Sequence, residues 1–150
     1  MLVSIQTRLR PYAPLFLRFG LGLVFLLFAY HKLAVPEQGR VEIQGILNFV
    51  GLGASAAMNY YLGLAEALVA LTFFLGWQIR WTALLGAGLV GGFFASILLK
   101  FGLTNDPNLY RDVGIFGAAV ALWLTGAGPF SLDSRKKVAE EAPPNPAVSQ

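Results

Sequence analysis

The chain has no cysteine and a single histidine, His31. The first absence excludes disulfides, thiolate metal clusters and any CxxC redox pair. The second excludes histidine-rich metal sites, so neither a haem nor a binuclear metal centre supplied by this chain alone is expected. Charge is scarce as well. Asp, Glu, Lys and Arg make up 13% of the 150 residues, against roughly 25% in a soluble domain. A soluble chain this short exposes most of its surface and needs more charge to cover it. Lipid removes that need. Apolar residues make up 56% and the length suits one domain, which describes an integral membrane protein and not a soluble enzyme. The net charge of +3 is scattered, apart from Arg135-Lys136-Lys137. That reads as membrane topology and not as a nucleic-acid surface. No Gly-rich phosphate loop, nucleophile elbow or HExxH pattern occurs.

What is present is a series of long apolar stretches. Residues 14–33 are broken only by Arg18 and end in His31-Lys32, with no leader-like cleavage site. About 20 residues at 1.5 Å each match a hydrocarbon core of roughly 30 Å. Residues 36–57 are mixed. Val35-Pro36-Glu37-Gln38-Gly39 is a turn signal. Ile43, Ile46, Leu47 and Val50 then recur at helical spacing, and Gly51-Leu52-Gly53 ends the pattern. This predicts a short amphipathic helix lying on the membrane or capping the bundle. A second span covers residues 58–77 and contains Glu66, with Gly76 suited to the helix end. A third covers 81–101, with a glycine-rich centre. Thr104-Asn105-Asp106-Pro107-Asn108 reads as a turn. A fourth span runs from near Tyr110 to near Gly128. Its purely apolar part, 113–127, is short for a crossing, which puts Asp112 and Arg111 at or inside the hydrocarbon edge. The expected fold is an all-α membrane bundle of four spans over residues 1–133, with the amphipathic helix between spans one and two. Residues 134–150 are expected to be a disordered tail. No repeat indicates an inverted-topology transporter.

Arg8, Arg10, Arg80, Arg135, Lys136 and Lys137 fall on one side of such a layout, and Lys32, Arg40, Lys100 and Arg111 on the other. The positive-inside rule then makes both termini cytoplasmic. Tyr12, Trp77, Trp81 and Trp123 mark one boundary, and Tyr30, Tyr60, Tyr61 and Tyr110 the other. Helix contacts in lipid rely on small residues. The expected contact stripes are Gly22 and Ala29; Gly63, Glu66 and Ala70; Gly88, Gly91 and Ala95; and Gly114, Gly117, Ala118 and Ala121.

Glu66 is the most informative residue, roughly 12 Å below its helix end. An ionised carboxylate there must be paired or protonated. It is a proton-titrating or ligand-binding group, half of a structural ion pair, or a neutral carboxyl hydrogen-bonded to a backbone carbonyl. Lys32 and Arg18 lie within about 40° of each other on the helix wheel and share the stripe of Gly22, Phe25 and Ala29. Each is either inward-facing or a snorkelling end residue. Arg18 lies at the wrong depth to pair with Glu66. His31 is either polar surface or a proton-transfer group. Lys32, Glu66, Lys100 and Asp112 come from four helices and fall in the same outer half. Either they converge in one polar pocket for a small anion, a quinone headgroup or a partner's polar group, or they are separate boundary residues, Lys100 and Asp112 each suiting its local helix dipole.

In order along the chain, Leu17-Arg18-Phe19-Gly20-Leu21-Gly22, Ala29-Tyr30-His31-Lys32-Leu33, Glu66, Leu75-Gly76 through Arg80, Asp112 through Gly114, and Gly126-Ala127-Gly128-Pro129-Phe130-Ser131-Leu132-Asp133 resemble the DoxX-like family of small bacterial membrane proteins. Ala29 stands where that family usually has glycine. The resemblance implies a four-helix bundle in the bacterial inner membrane. It also implies kinship with the membrane subunit of thiosulfate:quinone oxidoreductase. The functions left open are a small subunit of a redox or stress-linked complex that binds quinone, the oxidoreductase itself, or a small-molecule permease. No covalently bound cofactor and no metal are expected. The expected partners are the bilayer and either another protein or a second copy.

Overall fold

A computed structural model describes residues 2–49, 51–53, 55–102 and 107–141. The described residues are helical, with no strand among them. Helix α1 (Leu2–Leu9) leads through a 3-10 turn, Arg10–Tyr12, into α2 (Ala13–Ala34). Then come α3 (Pro36–Phe49), α4 (Ala56–Leu75), α5 (Ile79–Phe101), α6 (Pro107–Thr125) and α7 (Leu132–Glu141). Three stretches are long and apolar enough to cross a membrane: Val3–Ala34, Ala56–Leu75 and Ile79–Phe101. They expose large apolar residues such as Leu23, Leu64, Leu68 and Leu84. Rows of such residues are stable against acyl chains and not against water.

Local chemistry sets the helix ends. Ser55 caps α4, its Oγ accepting from the Met58 amide at 3.1 Å. Gly76 closes the same helix in the left-handed conformation at φ 67°, where glycine carries no Cβ penalty. Pro36 does not sit in a turn as the sequence suggested. It opens α3, because a proline at the first helical position loses no hydrogen bond. Pro107 likewise opens α6, while Thr104, Asn105 and Asp106 of the expected turn lie outside the described residues.

Helices α2, α4, α5 and α6 pack as a bundle, with α2 most closely on α4 and α5 on α6. Phe25, Val69, Phe73, Ile79, Ala83, Ala119 and Leu122 form its core, and Phe25 meets Phe73 edge to face at 5.7 Å. Helix α3 touches α2, α4 and α5, so it caps one end, burying Ile43 and Leu47.

The small-residue stripes hold on two helices and hold only in part on two, where Gly91 meets Phe116 and Ala118 packs on the core. Gly22 and Ala29 face the core, as do Gly63, Glu66 and Ala70. On α5 the buried face is instead Ile79, Ala83, Gly86, Ala87 and Val90. On α6, Gly114 and Gly117 are exposed, and Asp112, Ile115, Ala119 and Leu122 are buried. A helix apolar all round carries no periodic signal for its inner face, so small size alone did not fix the side.

The C-terminal region departs from expectation too. Residues from Ser134 were expected to be disordered, yet α7 runs to Glu141; residues 142–150 lie outside the described residues. Ser131 caps α7, its Oγ accepting from the Ser134 amide at 3.0 Å, and Asp133 ties its start to the bundle. The Asp133 carboxylate accepts from the Gln78 and Ile79 amides at 2.8 and 2.9 Å, capping α5 from the far end of the chain. The Asp133 amide donates to the Gly76 carbonyl at 3.1 Å.

Candidate functional site

One end of the bundle gathers ionisable groups in an apolar surround. Lys32 is near the end of α2 and Glu66 faces it from the middle of α4. Both are buried, and the ammonium lies 2.9 Å from each carboxylate oxygen. A charge in such surroundings is stable only when paired. The geometry between these helices depends on Gly63, where a Cβ would stand 2.9 Å from Leu33 and 3.1 Å from the Lys32 Cβ. Asn59, one turn earlier on the same face of α4, is fully buried. It donates to the Lys32 carbonyl at 2.8 Å, satisfying an acceptor that the end of a helix leaves open. The second pair is local to α6. Arg111 donates to Asp112 Oδ1 through Nε at 3.1 Å and Nη2 at 3.0 Å. Asp112 is buried and Arg111 is half exposed.

The two ion pairs border a cavity of about 540 Å³ between α2, α4, α5 and α6, with Ile43 of α3 also on its wall. Lys32, Glu66, Arg111, Asp112 and His31 supply its polar wall. Phe25, Phe28, Leu89, Val90, Phe93 and Ile97 supply the apolar remainder. Phe28 joins the two regions. The Lys32 ammonium lies 5.6 Å from its ring centre and the Arg111 guanidinium 5.0 Å, both within cation–π range. No group of metal-ligating side chains occurs among the described residues.

The structure thus brings together four of the six residues singled out in the sequence: Lys32, Glu66, His31 and Asp112. It does not bring in the other two. Lys100 is exposed and sits over the Phe101 ring at 4.8 Å, off the cavity wall. Its place in the last turn of α5 carries it past the cavity. Arg18 is fully buried at the opposite end, donating through Nη2 to the Phe130 and Pro129 carbonyls at 3.1 and 3.4 Å. It ties α2 to the segment before α7. The sequence reading missed Arg111 and Asn59 as site residues. Arg111 was legible as the neighbour of an intramembrane aspartate. Asn59, one polar residue among several near a helix start, gave no comparable signal.

The family of methylamine utilisation protein MauE matches residues 10–108. That stretch covers α2 to the start of α6, including Lys32 and Glu66. The chain belongs to the MauE family. Neither a curated protein nor a solved structure matches it. The DoxX resemblance is therefore corrected: MauE and DoxX are distinct families of small membrane proteins. Of the residues that suggested DoxX, His31, Lys32 and Glu66 line the cavity, and several others report folding. Gly76 and Gly128 hold left-handed turns, Asp133 caps α5, and Arg18 anchors the turn before α7. The closing Gly126–Asp133 motif lies beyond the MauE match. The thiosulfate reading rested on that resemblance and loses its support with it.

Proposed function

We propose that this MauE protein is a membrane subunit serving methylamine utilisation, and that its cavity binds the headgroup of a lipid-soluble quinone. The observation that carries this reading is the charge balance of the cavity. Two cations, Lys32 and Arg111, and two carboxylates, Glu66 and Asp112, are already paired with one another. An ionic ligand would have to break a buried pair, which is costly. A neutral ring with two carbonyl oxygens only has to share donors that are in place. Lys32, Arg111 and His31 offer those donors, and Glu66 and Asp112 can exchange protons with a reduced ring. The aromatic and aliphatic wall accepts the ring face. The same pairing argues against a cation pathway. Methylamine is a reduced one-carbon amine whose use as a carbon source needs oxidation, and a quinone is a membrane-soluble two-electron acceptor.

In this reading α6 is the fourth crossing, with its two charges paired to each other. The protein lies in the bacterial inner membrane with both termini in the cytoplasm. Its electron source is a partner protein, since the chain has no cysteine of its own and no cofactor-bearing motif.

Purification in mild detergent tests the binding claim. Solvent extraction of the purified protein is expected to yield quinone near one per chain. The double variant Lys32→Met/Glu66→Leu is expected to stay folded and lose at least tenfold in quinone affinity. Quinone-free wild type that also fails to bind added quinone overturns the reading, as does a folded double variant that binds normally.

A further inference from the structure

A second hollow adjoins the cavity. It is a seam of about 480 Å³ between α2 and α6, bordered by Leu17, Gly20 and Val24 on one side and Gly114 and Ala118 on the other. Its wall is almost wholly apolar. Gly20 and Gly114 are exposed, and a Cβ added at either meets nothing within 4 Å. These glycines therefore do not serve close helix packing, unlike Gly22 or Gly63. What they leave is open space on the outer face of the bundle.

The seam is not an isolated groove. Arg111 borders both the cavity and the seam. The guanidinium stays with Asp112 and over Phe28, so the polar wall of the cavity ends where the apolar seam begins. From Arg111 to Ala118 the seam follows α6 for about 10 Å. A molecule with a polar ring in the cavity would pass Arg111 to lay an apolar chain along it.

We propose that the seam between α2 and α6 holds the polyprenyl chain of the molecule whose ring occupies the cavity, with Arg111 at the junction of ring and tail. This rests on the quinone reading above and adds the exit route and the length requirement. Its ligand class is a prenylated ring and not a free small aromatic. The glycines give a specific reason for the route: side chains at positions 20 and 114 would fill the space that the chain needs.

The test uses the full chain in nanodiscs and two quinones with the same ring, one with four isoprene units and one with a methyl group in place of the tail. Gly114→Leu fills the seam from α6 and Gly20→Leu fills it from α2. Both replace an exposed mid-helix glycine with a better helix former, so the fold is expected to hold. Affinity for the long-tailed quinone is expected to fall about tenfold in each variant. Affinity for the tail-less quinone is expected to stay within about twofold of wild type. Comparing variants with wild type cancels the partitioning of the long-tailed quinone into lipid. Unchanged long-tail affinity overturns the proposal and leaves the seam to bulk acyl chains, with the quinone reading intact. An equal fall for both quinones also overturns it. Wild type that binds neither quinone overturns this proposal together with the quinone reading.

Discussion

Lys32 and Glu66 show how a single contact can be both necessary and replaceable. Taking either charge away leaves the other buried without its partner. Lys32→Ala is expected to cost roughly 3–5 kcal/mol of stability, read as a fall in the thermal midpoint of the detergent-solubilised protein. Replacing both with apolar residues of similar volume removes the burden, so Lys32→Met/Glu66→Leu is expected to be as stable as wild type or more so. A double variant as unstable as the single one would mean that the pair itself holds α2 to α4. Glu66 was legible in the sequence because a carboxylate among twenty apolar residues has few physical excuses. Its partner was not, because Lys32 and Lys100 both carry the right charge in the same half of the bundle. Only the rotation and depth of each helix separates them, and apolar surroundings do not record rotation.

At the scale of elements, hydropathy alone located α2 to α6 but neither α1 nor α7. The 20-residue apolar stretches, the amphipathic run through Ile43 and Leu47, and the glycine at position 76 each follow from local rules. The inner faces of α5 and α6 did not follow, since lipid and core select the same residue types. The Asp133 cap was equally hidden, because it acts on amides 54 and 55 residues away in sequence. It also ties to the bundle the start of α7, whose composition alone reads as a tail. Asp133→Ala is expected to lower stability by about 1 kcal/mol, in line with other lost N-caps. Hydrogen exchange should then quicken first at Gln78 and Ile79. Unaltered protection at those amides would show that the cap is dispensable.

At the scale of the molecule, the number of crossings decides where the site faces. Three stretches qualify by length and hydropathy, while α6 carries Arg111 and Asp112 near its start. If α6 crosses as the fourth, residues before α2 and after α6 share one side. The natural lack of cysteine makes this directly testable, since an introduced thiol is the only one present. Gln6→Cys and Arg135→Cys are expected to react with an impermeant maleimide from the same face of sealed vesicles, and Glu37→Cys from the other. Labelling of positions 6 and 135 from opposite faces would leave an odd number of crossings and place α6 along the membrane surface.

The carboxylate that finishes α5 has a consequence for biosynthesis. It is translated more than fifty residues after the amides it serves. During insertion the α4–α5 hairpin therefore enters lipid with two donors still open, and it is completed only when the chain has returned from α6. A nascent protein halted before Asp133 is an unfinished object that quality-control proteases should recognise, however well its first helices have inserted.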